Sequence, residues 1–225
     1  MKDLISLLEK KNNIELDSSY SALINELDLL SYKLNSAGGI FKILQANPKG
    51  IYIYGSTGTG KTTLMNAFFE SLQVAKLNIH FHDYFLDISR LLMKYKMEEL
   101  THKIASKIKA ICFDEFYIES IADAKLLEDL FERLIKLGVV IVLTSNFDPN
   151  DLFKGGFNRH LVFPKFADFL RNHLQVFHLT SKHDFREKFK TDGNIFERAF
   201  PTDFASTKLE FNNNIIKGFI KDEAA

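Results

Sequence analysis

The sequence predicts an α/β fold in which five parallel strands form one sheet and helices cover both of its faces. The main observation is that short apolar runs alternate with longer segments of helical periodicity from about residue 46 to residue 180. A second observation is that most of the runs are continuously apolar, as expected for parallel strands buried on both faces. Such alternation implies right-handed crossover connections and therefore a three-layer sandwich of helices, sheet and helices.

The elements of this sandwich follow one another regularly along the chain. Strands are predicted, in chain order, at Ile51–Tyr54, Asn78–His82, Ala110–Phe113, Val139–Thr144 and Val176–Leu179. The intervening helices are predicted at residues 61–74, 85–100, 121–137 and 166–174. Every predicted helix lies between two successive strands, which is the arrangement that parallel strand pairs require.

Three segments are expected along the chain. Residues 1–45 form an N-terminal helical extension, residues 46–180 the α/β core, and residues 181–225 a short C-terminal lid or tail. The extension carries a stripe of leucines at helical spacing, namely Leu23, Leu27, Leu30 and Leu34. This stripe makes the extension a candidate docking arm for a partner. The last segment is more polar and has no clear period, so a helical lid, a β-hairpin and a loose tail all stay open.

Composition restricts the class of partner. Lys plus Arg and Asp plus Glu are equal at 29 each, so no bulk field attracts nucleic acid or an anionic membrane. No stretch approaches the roughly 18 apolar residues of a membrane span, and the N-terminus lacks a signal peptide, so a cytoplasmic location is expected. Cys112 is the single cysteine of the chain. It can form no internal disulfide and is expected to be a small buried hydrophobe.

The segment after the first predicted strand fits the pattern G-x-x-x-x-G-K-[ST] of a phosphate-binding loop. Glycines in such a loop let backbone N–H groups turn inward around a polyphosphate, Lys61 reaches the outer phosphates, and the Thr62 hydroxyl ligates Mg²⁺. A helix that starts at the loop adds the positive end of its dipole. The predicted nucleotide-binding residues are Gly55, Ser56, Thr57, Gly58, Thr59, Gly60, Lys61, Thr62 and Thr63.

An acidic pair, Asp114-Glu115, ends the third predicted strand. Ligands of open α/β sheets bind beyond the carboxyl ends of the strands, so this pair is expected to face the phosphates. Asp114 is predicted to hold Mg²⁺ together with Thr62, and Glu115 to polarise the attacking water. The alternative is an acidic pair that merely faces solvent.

Two further residues are candidates for the same site. Asn146, at the end of the fourth strand, can hydrogen-bond the attacking water or the γ-phosphate, although asparagine before a turn is common. Arg159, between the fourth and fifth strands, can reach the γ-phosphate of a neighbouring subunit, because its planar fork stays charged and pairs with phosphate oxygens. An ordinary surface arginine fits the same position.

Two other patterns indicate structural rather than functional roles for their residues. His80-Phe81-His82 is expected to place two imidazoles on one face of a strand, but the sequence offers no third metal ligand of suitable spacing. Hydrogen-bonded core or interface histidines are therefore expected. The densest basic stretch is interleaved with glutamates and is expected to be a solvated helix face rather than a nucleic-acid site. Its lysines are Lys94, Lys96, Lys103, Lys107 and Lys109.

Several motifs between residues 48 and 187 together resemble the ZapE-like AAA+ ATPases, whose mitochondrial relatives are the lactation-elevated protein ATPases. They are the phosphate loop with its flanks, His80-Phe81-His82, Cys112-Phe113-Asp114-Glu115-Phe116, Ile121-Ala122-Asp123-Ala124, Gly156-Phe157-Asn158-Arg159 and Asp184-Phe185-Arg186. Together these motifs are much more specific than the phosphate loop alone.

The resemblance implies an AAA+ P-loop fold, ATP hydrolysis with Mg²⁺, and self-association that includes an ATP-dependent hexamer. It also implies a protein partner, because bacterial members are linked to the division ring and its tubulin-like protein, and mitochondrial members to subunits of respiratory complexes. Arg159 becomes a finger acting in trans and Arg186 a second phosphate sensor. Phe157 stands where the family has leucine, and the chain stops about forty residues after Arg186, so a reduced lid is expected.

The sequence therefore predicts an ATPase that remodels a protein partner, with the division-ring protein as the expected target and the division site as its location. A helicase-loader-like ATPase acting on nucleoprotein is one alternative. A nucleotide-gated scaffold with little turnover is the other.

Overall fold

A computed structural model describes residues 18–36, 48–153 and 159–180 of the 225-residue chain, with the backbone alone at residues 159–163. The helices are α1 (Ser18–Asn35), α2 (Lys61–Ser71), α3 (Phe81–Leu92), α4 (Met97–Lys107), α5 (Ile121–Lys136) and α6 (Arg159–His173). The strands are β1 (Gly50–Tyr54), β2 (Lys76–His80), β3 (Ala110–Asp114), β4 (Val140–Ser145) and β5 (Leu174–His178). A 3₁₀ turn spans Pro149–Asp151.

The five strands form one parallel sheet in the order β2-β3-β4-β1-β5, which confirms the predicted sheet. β1 lies between β4 and β5, with Tyr54 opposite both Ser145 and His178. On the other side of β4, Phe113 of β3 pairs with Leu143. The carboxyl ends of β1, β3 and β4 therefore meet at one edge of the sheet.

Alternate residues of each strand are buried on opposite faces of the sheet. Tyr52, Phe113 and Leu143 belong to a core shared with α3, α4, α5 and α6. Ile53 and Cys112 belong to a second core shared with α1 and α2. Cys112 is fully buried, as predicted. Because both faces are covered, the three central strands β1, β3 and β4 are apolar over most of their length.

Helix α1 covers part of the second face. Its leucine stripe, with Leu23 and Leu27 fully buried, packs into the same core as Phe68 of α2. Near the middle of the helix, the Glu26 carboxylate accepts a hydrogen bond of 2.8 Å from the Gln175 side chain of β5. The leucines of the predicted docking arm are thus buried in the core of the fold. The boundary of the extension at residue 45 stays a prediction. The rest of that arm lies outside the described residues.

The strand predicted at Asn78–His82 is wrong at its last two residues, Phe81 and His82. β2 ends at His80, and α3 begins at Phe81, so the two imidazoles do not share one face of a strand. The physical reason is the period of the next residues, because Phe81, Tyr84 and Ile88 are buried at helical spacing. Burial of that face outweighs a strand pattern only three residues long.

The single helix predicted at residues 85–100 is also wrong, since two helices, α3 and α4, occupy this region. The basic stretch is divided among their connection, α4 and the segment after α4, where Lys109 lies. In α4, Lys103 pairs with Glu99 at 3.2 Å, and its amine lies 4.0 Å from the centre of the Tyr95 ring. Within the described ranges, no helix has the length and apolarity that crossing a bilayer demands.

Helix α5 begins with a capping box. The Ser120 hydroxyl accepts from the Asp123 N–H at 3.1 Å, and the Asp123 carboxylate accepts from the Ser120 N–H at 2.9 Å. Two N–H groups that the helix leaves without partners are satisfied in this way. Asp123, a residue of the Ile-Ala-Asp-Ala motif, therefore has a structural role.

We expect Leu27→Ala in α1 to lower the free energy of unfolding by about 2–5 kcal/mol, because it removes a fully buried side chain and leaves a cavity. Denaturant unfolding of the full chain measures this change. Asn25→Ala, at an exposed position of the same helix, is the control. A Leu27→Ala chain as stable as this control would mean that α1 does not unfold together with the sheet.

Candidate nucleotide site

The phosphate loop connects β1 to α2, and its three glycines, Gly55, Gly58 and Gly60, all have positive φ angles. Gly60 has a φ of 78°, in the left-handed region, and forms the N-cap of α2. A Cβ on Gly55 would lie 2.2 Å from the carbonyl oxygen of Leu179, so the loop starts in close contact with the chain after β5. A Cβ on Gly60 would meet no atom within 4 Å, so the loop opens on space beside this residue.

Lys61 lies inside the curve of this loop. Its side chain is buried, and its amine donates to the carbonyl oxygens of Gly55 and Ser56, both at 2.8 Å. The Thr59 hydroxyl donates to the same Ser56 oxygen at 3.0 Å. The lysine and the loop are thus held together by the loop's own carbonyl groups, with the positive charge at its centre.

The start of α2 suits an anion. The N–H groups of the first turn of a helix have no acceptor within the helix, and the dipole adds a partial positive charge there. In α2, Leu64 is the residue whose N–H reaches back to the Gly60 carbonyl, at 3.0 Å. Thr62 is exposed and Thr63 half-buried in this first turn. Open space, helix terminus and lysine together fit a polyphosphate.

Asp114 is buried at the end of β3 and accepts three hydrogen bonds at its Oδ1 atom. Donors are the Thr62 hydroxyl at 3.0 Å, the Thr144 hydroxyl at a very short distance, and the Glu115 N–H at 3.2 Å. The carboxylate is therefore fixed beside the first turn of α2. Thr62 and Asp114 present hard oxygen donors side by side, which is the donor set that fits Mg²⁺.

Glu115 turns away from the line of β3. It has a φ of 58°, unusual for a residue other than glycine, and its side chain is exposed. Its N–H lies 3.1 Å from the Thr144 hydroxyl, and the next N–H, of Phe116, donates to the Thr144 carbonyl at 2.7 Å. The chain after Asp114 is thus held on the end of β4 while the Glu115 carboxylate stays free to face solvent.

Asn146 is exposed and lies one residue beyond β4. Hydrogen bonds hold the residues on either side of it. The Ser145 hydroxyl donates to the Phe116 carbonyl at 2.7 Å. The buried Tyr52 hydroxyl donates to the Phe147 carbonyl at 2.8 Å, and burial raises the pKa of Tyr52, so it stays protonated as a donor. The Asn146 loop is therefore fixed to both β1 and the turn after β3.

The two predicted arginines are placed differently. The backbone of Arg159 forms the first residue of α6, which follows the turn after the Asn146 loop. Arg186 lies outside the described residues. The structure thus brings together Lys61, Thr62 and Asp114, with Glu115 and Asn146 nearby on adjacent strand ends, and the roles of all these residues stay predictions.

One cluster of charged and polar side chains beside the site has no recognisable pattern in the sequence. Arg171 of α6 donates to the Asp148 carboxylate at 2.8 Å and to the Asn150 side chain at 3.0 Å. Burial acts to raise the pKa of Asp148, but the N–H of Asn150, the Tyr54 hydroxyl and the Arg171 charge together hold that pKa below its usual value. The Asp148-Pro149 turn marked the loop in the sequence, but nothing marked its partner 23 residues away.

The two histidines of the His80-Phe81-His82 motif lie in different surroundings. The His82 and Tyr117 rings are nearly parallel with 6.4 Å between their centres, and the Tyr117 hydroxyl lies 3.0 Å from the His82 Nδ1 atom. His80 is exposed at the end of β2. In the part of the chain that the structure describes, no group of three or more histidine, cysteine or acidic side chains could hold a metal ion.

A parallel sheet with a phosphate loop between β1 and α2 is the arrangement of the α/β P-loop proteins. The family model of the AFG1-like ATPases matches residues 9–217. The chain therefore belongs to the AFG1-like ATPase family, as the sequence resemblance implied.

Curated relatives agree with this assignment. An uncharacterized protein of Schizosaccharomyces pombe is 40% identical over 74% of this chain and 38% of its own length. Lactation elevated protein 1 homolog B of Danio rerio is 36% identical over 66% of this chain and 33% of its length. Cell division protein ZapE of Escherichia coli is 30% identical over 66% of this chain and 41% of its length. The chain thus spans between a third and two fifths of these relatives.

Solved structures share the fold. The crystal structure of DnaI has a TM-score of 0.56 at 19% identity and covers 77% of this chain and 87% of that chain. Domain III of the replication initiation protein DnaA from Thermotoga maritima has a TM-score of 0.58 at 17% identity, over 93% of this chain and 85% of that chain. At these identities the likeness concerns the fold alone.

We expect Asp148→Asn to lower the melting temperature at pH 7, because the variant loses a charge that Arg171, the Asn150 N–H and the Tyr54 hydroxyl stabilise. The folded pKa of Asp148 lies below its unfolded value. Its contribution is therefore complete above about pH 4 and is lost as the pH falls through the folded pKa.

Thermal melts from pH 7 to pH 3 measure this dependence. The difference between native chain and Asp148→Asn should shrink towards pH 3. Asp168→Asn, at an exposed position of α6, is the control. A difference that does not change with pH would assign the effect to packing rather than to the charge.

Proposed function

We propose that this chain is an ATP hydrolase that converts the energy of hydrolysis into a conformational change of a protein partner. The observation that carries the proposal is the contact of the Thr62 hydroxyl with the buried Asp114 carboxylate, because it joins the phosphate loop to the acidic strand end. Membership of the AFG1-like ATPase family supports the same activity.

Binding of the triphosphate is assigned to the phosphate loop and the first turn of α2. Backbone N–H groups of the loop, from Gly55 to Thr63, surround the phosphates, and the helix dipole favours their negative charge. The Lys61 amine exchanges its contacts with the Gly55 and Ser56 carbonyls for phosphate oxygens. A loop carbonyl is a weaker partner for an ammonium group than a charged phosphate is, so this exchange is favourable.

Thr62 and Asp114 would hold Mg²⁺. When bound, this ion would neutralise charge on the phosphates. Asp114 is suited to the task because its hydrogen bonds from Thr144 and the Glu115 N–H fix its orientation before any ligand binds.

Glu115 is proposed to polarise the attacking water. Its left-handed backbone turns the side chain out of the strand, so the carboxylate is exposed directly after Asp114, which contacts Thr62, rather than packed in the sheet. Asn146, on the anchored loop beyond β4, would orient the same water or the γ-phosphate. Arg159, at the start of α6, is proposed to act on the γ-phosphate of a neighbouring subunit, and Arg186 on the phosphates of its own chain.

The partner is proposed from the relatives. One of them is named a cell division protein, which supports a division-ring target and a division-site location for this chain. An assembly such as an ATP-dependent hexamer is proposed because an arginine donated in trans requires a neighbouring subunit. In the same scheme, residues 1–45 are a helical extension, residues 46–180 the ATPase core and residues 181–225 a short lid or tail.

We expect Glu115→Gln to bind ATP with near-native affinity and to hydrolyse it at least about tenfold more slowly, because the amide cannot accept the proton of the attacking water. Steady-state phosphate release and nucleotide titration measure the two quantities. Glu119→Gln, which changes an exposed glutamate four residues further on, is the matched control. Near-native turnover by Glu115→Gln would exclude Glu115 as the group that polarises water.

The same measurements separate the proposal from its two rivals. Native protein that binds ATP but shows no turnover at any concentration behaves as a nucleotide-gated scaffold. Turnover that single-stranded DNA stimulates, and that falls as salt rises, indicates a helicase-loader-like activity.

We expect Arg159→Ala to retain ATP binding and to lose at least about a thousandfold in hydrolysis rate, as the loss of an arginine finger does. Mixing Arg159→Ala with Lys61→Ala chains should restore part of the activity, because each mixed interface can combine an intact loop with an intact arginine. Lys165→Ala, at an exposed position of the same helix, is the control. A mixture shown to co-assemble but without activity would contradict a finger acting in trans.

A further inference from the structure

The side chain of Tyr20 in helix α1 contacts the phosphate loop. The Tyr20 hydroxyl donates a hydrogen bond of 2.8 Å to the carbonyl oxygen of Thr59. Both residues are buried, with 5% of Tyr20 and 2% of Thr59 exposed. A residue 39 positions upstream thus contacts the backbone of the loop directly.

The far end of α1 is held at the far end of α2. The Asn35 side chain donates to the Ser71 carbonyl at 2.9 Å, and its own oxygen accepts from the Gln73 N–H at 2.6 Å. The Ser31 hydroxyl lies 2.8 Å from the Ser71 hydroxyl. Helix α1 therefore lies along α2 and is attached at both ends, with the leucine stripe packed between these attachments.

The contact of Tyr20 fixes a particular peptide plane. The carbonyl of Thr59 and the N–H of Gly60 belong to one planar trans peptide and point in opposite directions. A hydrogen bond that holds the carbonyl towards α1 therefore directs the Gly60 N–H away from α1. Gly60 is in the left-handed region, and glycine adopts several backbone conformations at similar energy, so this peptide could rotate without such a constraint.

We propose that Tyr20 is a positioning residue of the nucleotide site, which fixes the Thr59–Gly60 peptide so that the Gly60 N–H is presented to a phosphate group. The assignment rests on the proposed function, since the ligand is the nucleotide of that same site. It gives α1 a role beyond packing, because one of its side chains sets the geometry of the loop.

The test compares Tyr20→Phe with Tyr32→Phe in the full chain. Tyr20→Phe keeps the buried ring and removes only the donor, whereas Tyr32 is 71% exposed on the same helix. We expect Tyr20→Phe to weaken ADP and ATP binding about threefold to tenfold, the range for loss of one buried hydrogen bond. The KM for ATP should rise with little change in kcat, and Tyr32→Phe should match the native chain.

A second measurement does not depend on nucleotide. Amide hydrogen exchange of the nucleotide-free chain should be faster at Gly60 in Tyr20→Phe than in the native chain, with α2 still protected. Asn35→Ala, which removes the hydrogen bonds of Asn35 to Ser71 and Gln73 at the other end, should lower the melting temperature without changing nucleotide affinity or exchange at Gly60. This combination would separate positioning of the loop from general stabilisation of α1.

The results also separate failure of this inference from failure of the proposed function. Native affinity and native exchange at Gly60 in Tyr20→Phe would overturn the inference. Equal losses of affinity in Tyr20→Phe and Asn35→Ala would overturn it as well, because α1 would then act only through stability. A native chain that binds no nucleotide would refute the proposed function, and the exchange at Gly60 would still report whether Tyr20 orders the loop.

Discussion

The carboxylate of Asp114 is the constraint on which the rest of the site depends. One oxygen atom accepts from α2 through Thr62, from β4 through Thr144 and from the following backbone N–H. Strand register makes this possible, because Phe113 pairs with Leu143 and the next residues of both strands meet at the end of the sheet. A buried carboxylate is stable only when donors surround it, so the phosphate loop, the acidic pair and the Asn146 loop are positioned together.

Much of the fold and part of the site could be predicted from the sequence, because both depend on patterns of residues close together in the chain. The five strands and the Gly60-Lys61-Thr62 loop are local patterns, in which burial or a fixed backbone geometry selects a few residue types. The end of β2 was mispredicted because a strand pattern of three residues overlapped the start of a helical period at Phe81. That period was present in the sequence and could have located the helix.

The contacts made by buried tyrosines had no such local signal. Tyr20 meets Thr59 across 39 residues, and Tyr52 meets Phe147 across 95. Each tyrosine also looks like an ordinary apolar member of its helix or strand. Only the packing of α1 on α2, and of β1 beside β4, shows that their hydroxyl groups reach loop carbonyls. The family motifs contain core residues as well as candidate site residues. Phe81 and Phe116, for example, pack edge to face in the core with 4.6 Å between their ring centres.

The backbone of Glu115 has a consequence for how this chain tolerates change. Holding a residue with a side chain in the left-handed region costs about 1–2 kcal/mol, a cost that glycine does not carry. A glycine at this position would therefore be expected to make the protein more stable while removing the carboxylate. Selection for thermal robustness alone would then favour variants that have lost this side chain, so stabilised variants of this protein should be screened for turnover as well as for melting temperature.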